Sequence, residues 1–270
     1  LTPETQVRLG RIRAPQYMYS TTLEVGYTYQ WARPSENAYP LFLSPFKQVD
    51  GVDITHNLSL DDVDVVYQVF FGETKNQYEG TKVDSDWTFG GNIAANWSSF
   101  SARLSAQQWQ FSIEYPGFAP LIAGYDAFAG ANAAVSGAPE TFKRITDSFD
   151  ADGQRANYFS VGFTWELDDW TFMSEVLNLR SEDRNFANDA DGYYISAAYQ
   201  IGSVSPYIMI GEYHNRFSDD VKNKVLASQS LDSSLAVTEI PIPNGAPLTL
   251  GSLRAQTIAV FDLFNVDQET

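Results

Sequence analysis

The chain has 270 residues, with 34 acidic against 17 basic, a net charge of −17, no cysteine, 14% aromatic residues and a mean hydropathy of −0.26. Such acidity excludes a nucleic-acid role, the missing cysteine excludes disulfides and thiolate metal sites, and no apolar run of about eighteen residues is present to cross a membrane as a helix. One large β domain or two ordinary ones fit this length, and a β-barrel, which hides its hydrophobicity in alternation, is compatible with the mean hydropathy.

The opening Leu1-Thr2-Pro3-Glu4 has neither a basic n-region nor an apolar h-region, the expectation for a mature or truncated chain. Gln6 to Ala14 (QVRLGRIRA) reads as a strand carrying Arg8, Arg11 and Arg13. Its apolar parity slips after Gly10, and a bulge there would place all three guanidiniums on one face; an ordinary solvated basic strand is the equal alternative. The stretch 15–48 is long for a connection and broken by Pro15, Pro34, Pro40 and Pro45. Its aromatics, among them Tyr17, Tyr19, Trp31, Tyr39 and Phe46, argue against disorder and for a loop that folds onto something.

Beyond it, period-2 alternation predicts strands at 51–60 and 63–71, joined by Asp61-Asp62, and at 87–97 and 100–113, joined by Ser98-Ser99. A second parity slip falls near Gln107-Gln108. Between the two hairpins 73–84 reads as a polar loop. The connection 114–156 is rich in Ala and Gly, with a possible helix over 121–134. Asn157 to Arg180 (NYFSVGFTWELDDWTFMSEVLNLR) is the plainest hairpin: Phe159, Val161, Phe163, Trp165 and Leu167 alternate with polar residues, and Asp168-Asp169 turns the chain back. Roughly ten residues a strand, with aromatics near the turn, is the size and dressing of a bilayer-spanning strand. After a polar loop at 181–190, strands are predicted at 193–201 and 204–216 around Gly202-Ser203, then a long loop at 217–251 and a last strand at 252–264.

Short turns thus alternate with long connections, as in outer-membrane barrels, which keep long loops at one end. On the VRLGRIRAP strand at 7–15, the aromatic loop after it and this hairpin rhythm, the chain resembles the Gram-negative outer-membrane porins, sixteen-stranded and of the general or phosphate-selective kind. The resemblance implies an all-β fold: a transmembrane antiparallel up-and-down barrel forming a single domain over 1–270, with roughly ten of its strands in this chain and the rest beyond both ends. It further implies that 15–48 folds into the lumen as a constriction loop, with Arg8, Arg11 and Arg13 as a basic wall facing Glu24 and Glu36 across the eyelet. The implied function is passive diffusion of small hydrophilic solutes or ions, in a homotrimer set among membrane lipid and lipopolysaccharide of the outer membrane, without a cofactor.

Other chemistry has less to work with. His56 sits at apolar parity, which suits a subunit contact or the aromatic belt; His214 follows Glu212 but lacks an obvious serine or aspartate partner, so no enzyme is expected. Asp147, Asp150 and Asp152, and Asp189 with Asp191, resemble pieces of calcium loops but lack the closing glutamate, and read better as solvated turns. Two rivals to a channel share these features: a non-conducting structural or interaction barrel, and a soluble carbohydrate-binding β-sandwich.

Overall fold

The computed structural model describes residues 2–22, 25, 28–32, 39, 46–78, 81–182, 188–217, 220–243, 245–264 and 266–269. Nine long strands, each antiparallel to the one before, make a sheet whose order follows the sequence: β1 (Thr5–Arg13), β2 (Gln48–Leu60), β3 (Val63–Tyr78), β4 (Thr81–Trp97), β5 (Phe100–Glu114), β6 (Gln154–Leu167), β7 (Trp170–Ser181), β8 (Asn188–Tyr199) and β9 (Tyr207–Phe217). Two short strands, β10 (Glu239–Ile240) and β11 (Leu248–Thr249), form a separate pair, and β12 (Val266–Glu269) adds to the free edge of β9. Among the described residues β1 and β12 pair on one side only, so the sheet is open, not closed into a barrel.

The chain is mostly β, as expected, and 24% helical. Helices α1 (Ala119–Ala131) and α2 (Ala138–Thr146) lie between β5 and β6, and α3 (Asp220–Ala227) and α4 (Leu250–Phe264) between β9 and β12. The expected strand at 252–264 is therefore a helix. Leu250, Leu253, Thr257 and Phe261 are buried at helical spacing, and the β-branched run Thr257-Ile258 through Val260 disguised it. The four helices share one apolar core built on Leu121, Tyr125, Phe128, Phe142, Val225 and Phe261.

Two-residue turns join the strands at one end, and the first residue of each has positive φ: Asp61, Ser98, Asp168 and Gly202. A short polar side chain or none tolerates that conformation. At the opposite end residues 73–78 and 81–84 of the expected polar loop are paired strand: β3 and β4 run past the sheet body, with register shifts at Gly72/Thr74 and Ser85/Trp87. Glu73, Lys75 and Gln77 on the outward side gave that segment no apolar alternation to read.

The two parity slips are not bulges. β1 pairs with β2 without a shift through Gly10, and β5 pairs with β6 without one through Gln107-Gln108. What changes is the apolar face. Near the short turns the apolar residues point outward, Leu104 on β5 and Leu9 on β1, which is 82% exposed; farther along, Trp109 and Ile12 point inward and are buried. Unbroken alternation puts Arg8 inward and Arg11 outward, so the three arginines do not share a face.

Across β1, β2 and β3 the inward positions at one level are all glycine: Gly10 pairs with Gly51, and Gly51 with Gly72. A Cβ on Gly51 would lie 2.1 Å from the Phe71 carbonyl oxygen, and one on Gly72 would lie 2.4 Å from that of Asp50. Neighbouring backbones crowd Gly51 and Gly72, a close approach that only glycine permits.

Candidate functional site

The sheet is inverted relative to a water-soluble one. Its inward side chains include Asp53, Gln68, Asn92, Ser105, Ser160 and Glu175, all buried, while the outward ones are apolar and exposed. On β6, Phe159, Val161, Phe163, Trp165 and Leu167 are each at least 40% exposed, a band of about 27 Å of strand at 3.4 Å per residue. Aromatic rings fringe its short-turn end: Trp97 against Phe100, Phe100 against Phe163, Trp165 against Phe172, and Trp170 against Tyr199.

Over β5 to β8 the inward polar face is covered by the connection between β1 and β2. Met18 holds its centre. The Met18 N–H donates to Glu175 Oε1 at 3.0 Å, and its carbonyl accepts from Arg103 Nη1 at 3.1 Å. Arg103, Gly162 and Glu175 stand side by side on β5, β6 and β7. One residue is thus gripped between a cation and an anion through its two flanking peptide groups, and Gly162 leaves the room: a methyl there would come within 3.2 Å of Met18 Sδ. The second oxygen of Glu175 accepts from the Tyr39 hydroxyl at 3.1 Å. Glu175 is buried, and a buried carboxylate is tolerable only when so bonded.

Further contacts extend the grip. The Gln16 carbonyl accepts from Tyr158 and Ser160 hydroxyls at 3.2 and 2.8 Å, and Trp31 Nε1 donates to Ser196 Oγ at 2.9 Å. Rings complete it: Phe46 stacks on Trp109, Tyr17 meets Tyr39 edge-on, and Trp31 meets Tyr194. The loop is pinned to β5, β6, β7 and β8 at once. Burial, and then the nearby Glu175 carboxylate, push the Tyr39 phenol well above its ordinary range; Tyr17 moves the same way, first through burial.

The expected eyelet residues are placed differently. Arg8 Nε donates to Asp53 Oδ1 at 2.8 Å, with its Nη2 on the other oxygen, so a fully buried carboxylate occupies the guanidinium. Gln68 Nε2 bonds the same Asp53, and Asn92 Nδ2 bonds Gln68 Oε1 at 3.0 Å, a polar chain across four strands. Arg11 makes an exposed bidentate pair with Asp50 on the opposite face. Arg13 donates to the Ser20 carbonyl at the base of the loop. Glu24 and Glu36 lie outside the described residues.

The calcium candidates do not converge. Asp147 pairs with Lys143, Asp150 caps the Asp152 N–H, and Asp152 accepts from Ser112. Asp189 and Asp191 lie within β8, not before a strand, bonded to the Ser181 N–H and to Arg180 with Asn178. No group of three metal-ligating side chains occurs among the described residues. His56 is outward, as its parity implied, and bonds Thr5 Oγ1 at 2.9 Å; His214 lies 3.5 Å from Glu212.

Sequence reasoning missed Arg103, Glu175, Gly162 and Met18. One signal was available for Arg103, which shares its parity with Ser101, Ser105 and Gln107, whereas Glu175 shares its parity with Met173, Leu177 and Leu179 and had none. That they close on Met18 is a long-range contact without a local mark. Neither a scan against protein-family models nor a search of curated proteins finds a match to this chain.

Proposed function

We propose that the chain is a porin-like passive diffusion channel of a Gram-negative outer membrane, its sheet part of a transmembrane barrel closed by further strands. The carrying observation is the inversion: an exposed apolar band with an aromatic fringe on one face, and a polar face wrapped around its own connecting loop on the other. A soluble sandwich buries the apolar face of each sheet against another sheet, whereas here the buried face is the polar one. In this assignment the β1–β2 connection is the constriction loop, small hydrophilic solutes are the cargo, lipid and lipopolysaccharide meet the band, and three copies assemble.

Charge preference follows from how the arginines are used. Asp53 and Asp50 neutralise Arg8 and Arg11, which leaves the overall acidity to favour cations. Arg8→Ala frees the buried Asp53 charge and should shift reversal potential further toward cation selectivity. One observation favours the non-conducting alternative: loop aromatics pack tightly on Trp109, Tyr158 and Tyr194. Single-channel recording of the full-length protein in a planar bilayer separates the two. Stepwise conductance that rises in Gly162→Leu, which wedges Met18 off the wall, supports the channel; a folded, inserted protein that never conducts rules it out.

A further inference from the structure

The outward apolar band has a hollow in it. On β4 the outward position 91 is glycine, and its register partner on β5 is Ala106, which is exposed. A Cβ on Gly91 would run into the Gln68 carbonyl oxygen, so the close approach of β3 keeps that position bare. Around this two-residue floor Val69, Phe89, Ile93 and Leu104 stand outward, each at least 42% exposed. The groove they border has a volume of about 620 Å³, inside the range of about 300–1,000 Å³ typical of small-molecule sites. All its lining residues lie in β3 to β6.

One end of the groove is polar. Gln108 and Asn157, directly opposite each other on β5 and β6, line it. Gln108 Nε2 donates to Asn157 Oδ1 at 2.8 Å and to Glu182 Oε1 at 3.4 Å, and Asn157 Nδ2 donates to the same Glu182 oxygen at 3.1 Å. The two amides thereby hold the Glu182 carboxylate toward the groove. Arg155 is the backbone neighbour of Glu182, whose N–H donates to the Arg155 carbonyl at 2.9 Å. The Arg155 side chain is outward and exposed, and among the described residues it makes no hydrogen bond or ion pair. A carboxylate and a guanidinium therefore stand near each other at the mouth of an apolar trough, unpaired.

We propose that this groove binds one phospholipid with a primary-ammonium head. An acyl chain lies over Gly91 and Ala106, Arg155 takes the phosphate and Glu182 takes the ammonium. A guanidinium fork suits phosphate oxygens, and an ammonium brings three N–H donors to the carboxylate. A zwitterionic head matches both charges, where a purely anionic one would meet Glu182. The site rests on the membrane-spanning assignment, because the groove opens on the outward face.

The test is native mass spectrometry of the full-length protein in mild detergent with equimolar phosphatidylethanolamine and phosphatidylcholine. Both lipids carry the phosphate, and the trimethylated head of the second has no N–H. The wild type is expected to retain one phosphatidylethanolamine with about tenfold preference, the worth of one hydrogen bond to a charged group. Ala106→Trp, which fills the floor, should abolish retention, and Ile195→Trp, outward on β8, should not. Glu182→Gln should lose the preference. Equal retention of the two lipids by the wild type, or undiminished retention in Ala106→Trp, overturns the site; Ala106→Leu serves should the tryptophan variant fail to fold. A lipid-free multimer that Ala106→Trp splits also overturns it and gives the groove to a second copy. Protein that inserts into a planar bilayer yet retains no lipid overturns the site and leaves the membrane assignment standing. Protein that is soluble without detergent and never inserts removes both.

Discussion

The helical cap and the sheet obey opposite rules. In the cap, Phe128, Phe142 and Ile145 are fully buried and the charged residues Lys143 and Asp147 are outside, the arrangement that water imposes. In the sheet, Val161 and Phe163 are outside while Asp53, Ser105 and Glu175 are buried. One chain therefore follows two burial rules, and the change occurs within single strands, where β5 passes from outward Leu104 to inward Trp109. Ile113, two alternations farther, packs against both the loop core and the cap core.

The contrast can be broken from either side. Phe142→Ala should cost the cap about 3–5 kcal/mol while leaving the sheet inserted. All six tryptophans lie in the strands or the β1–β2 loop, so a fall in far-ultraviolet helical signal with unchanged tryptophan emission is the expected result; loss of both would mean that the cap holds the sheet together. Val161→Arg, at mid-band, should cost about 2–4 kcal/mol in a bilayer, read as a lower urea midpoint for vesicle-inserted protein. A neutral outcome there would show that the outward face meets water.

A smaller effect concerns the loop. The phenols of Tyr17 and Tyr39 are raised on folding, so the stability they contribute is fully present below pH 10, the ordinary tyrosine value, and is lost as pH rises toward their folded values. Tyrosinate absorbance should therefore lag behind that of free tyrosine, and Tyr39→Phe should flatten the alkaline loss of loop docking. Lys143→Ala, which removes an exposed pair on the cap surface, should leave the thermal midpoint unchanged.

Much of the sheet was legible because strands report their faces two residues at a time. Phe159 to Leu167 gave strand, outward face and turn together, and Asp61, Ser98 and Asp168 marked the turns. The same signal misled where the apolar face switched sides: Ile12 and Trp109 read as slips because an alternation pattern cannot say which solvent each face meets. The cap was hidden because Thr257, Ile258 and Val260 sit mid-way along α4 and part of its packing is distant in sequence, Tyr125 and Thr257 sharing a hydrogen bond across 132 residues. Of the loop site, only the aromatic loop itself announced a docked structure; Arg103, Glu175 and Met18 are separated in sequence and joined by folding alone.

The glycine row bears on which mutations the chain survives. Gly10 has a φ of 124°, so any side chain there strains the backbone although space is open, whereas Gly51 and Gly72 are blocked by neighbouring main chain. A saturation-mutagenesis map should show these three positions as a dark line running across strands, at right angles to the chain. The outward band beside them should be pale to any exchange among Val, Ile, Leu and Phe if, as proposed, packing there is against fluid lipid and not against a fixed partner.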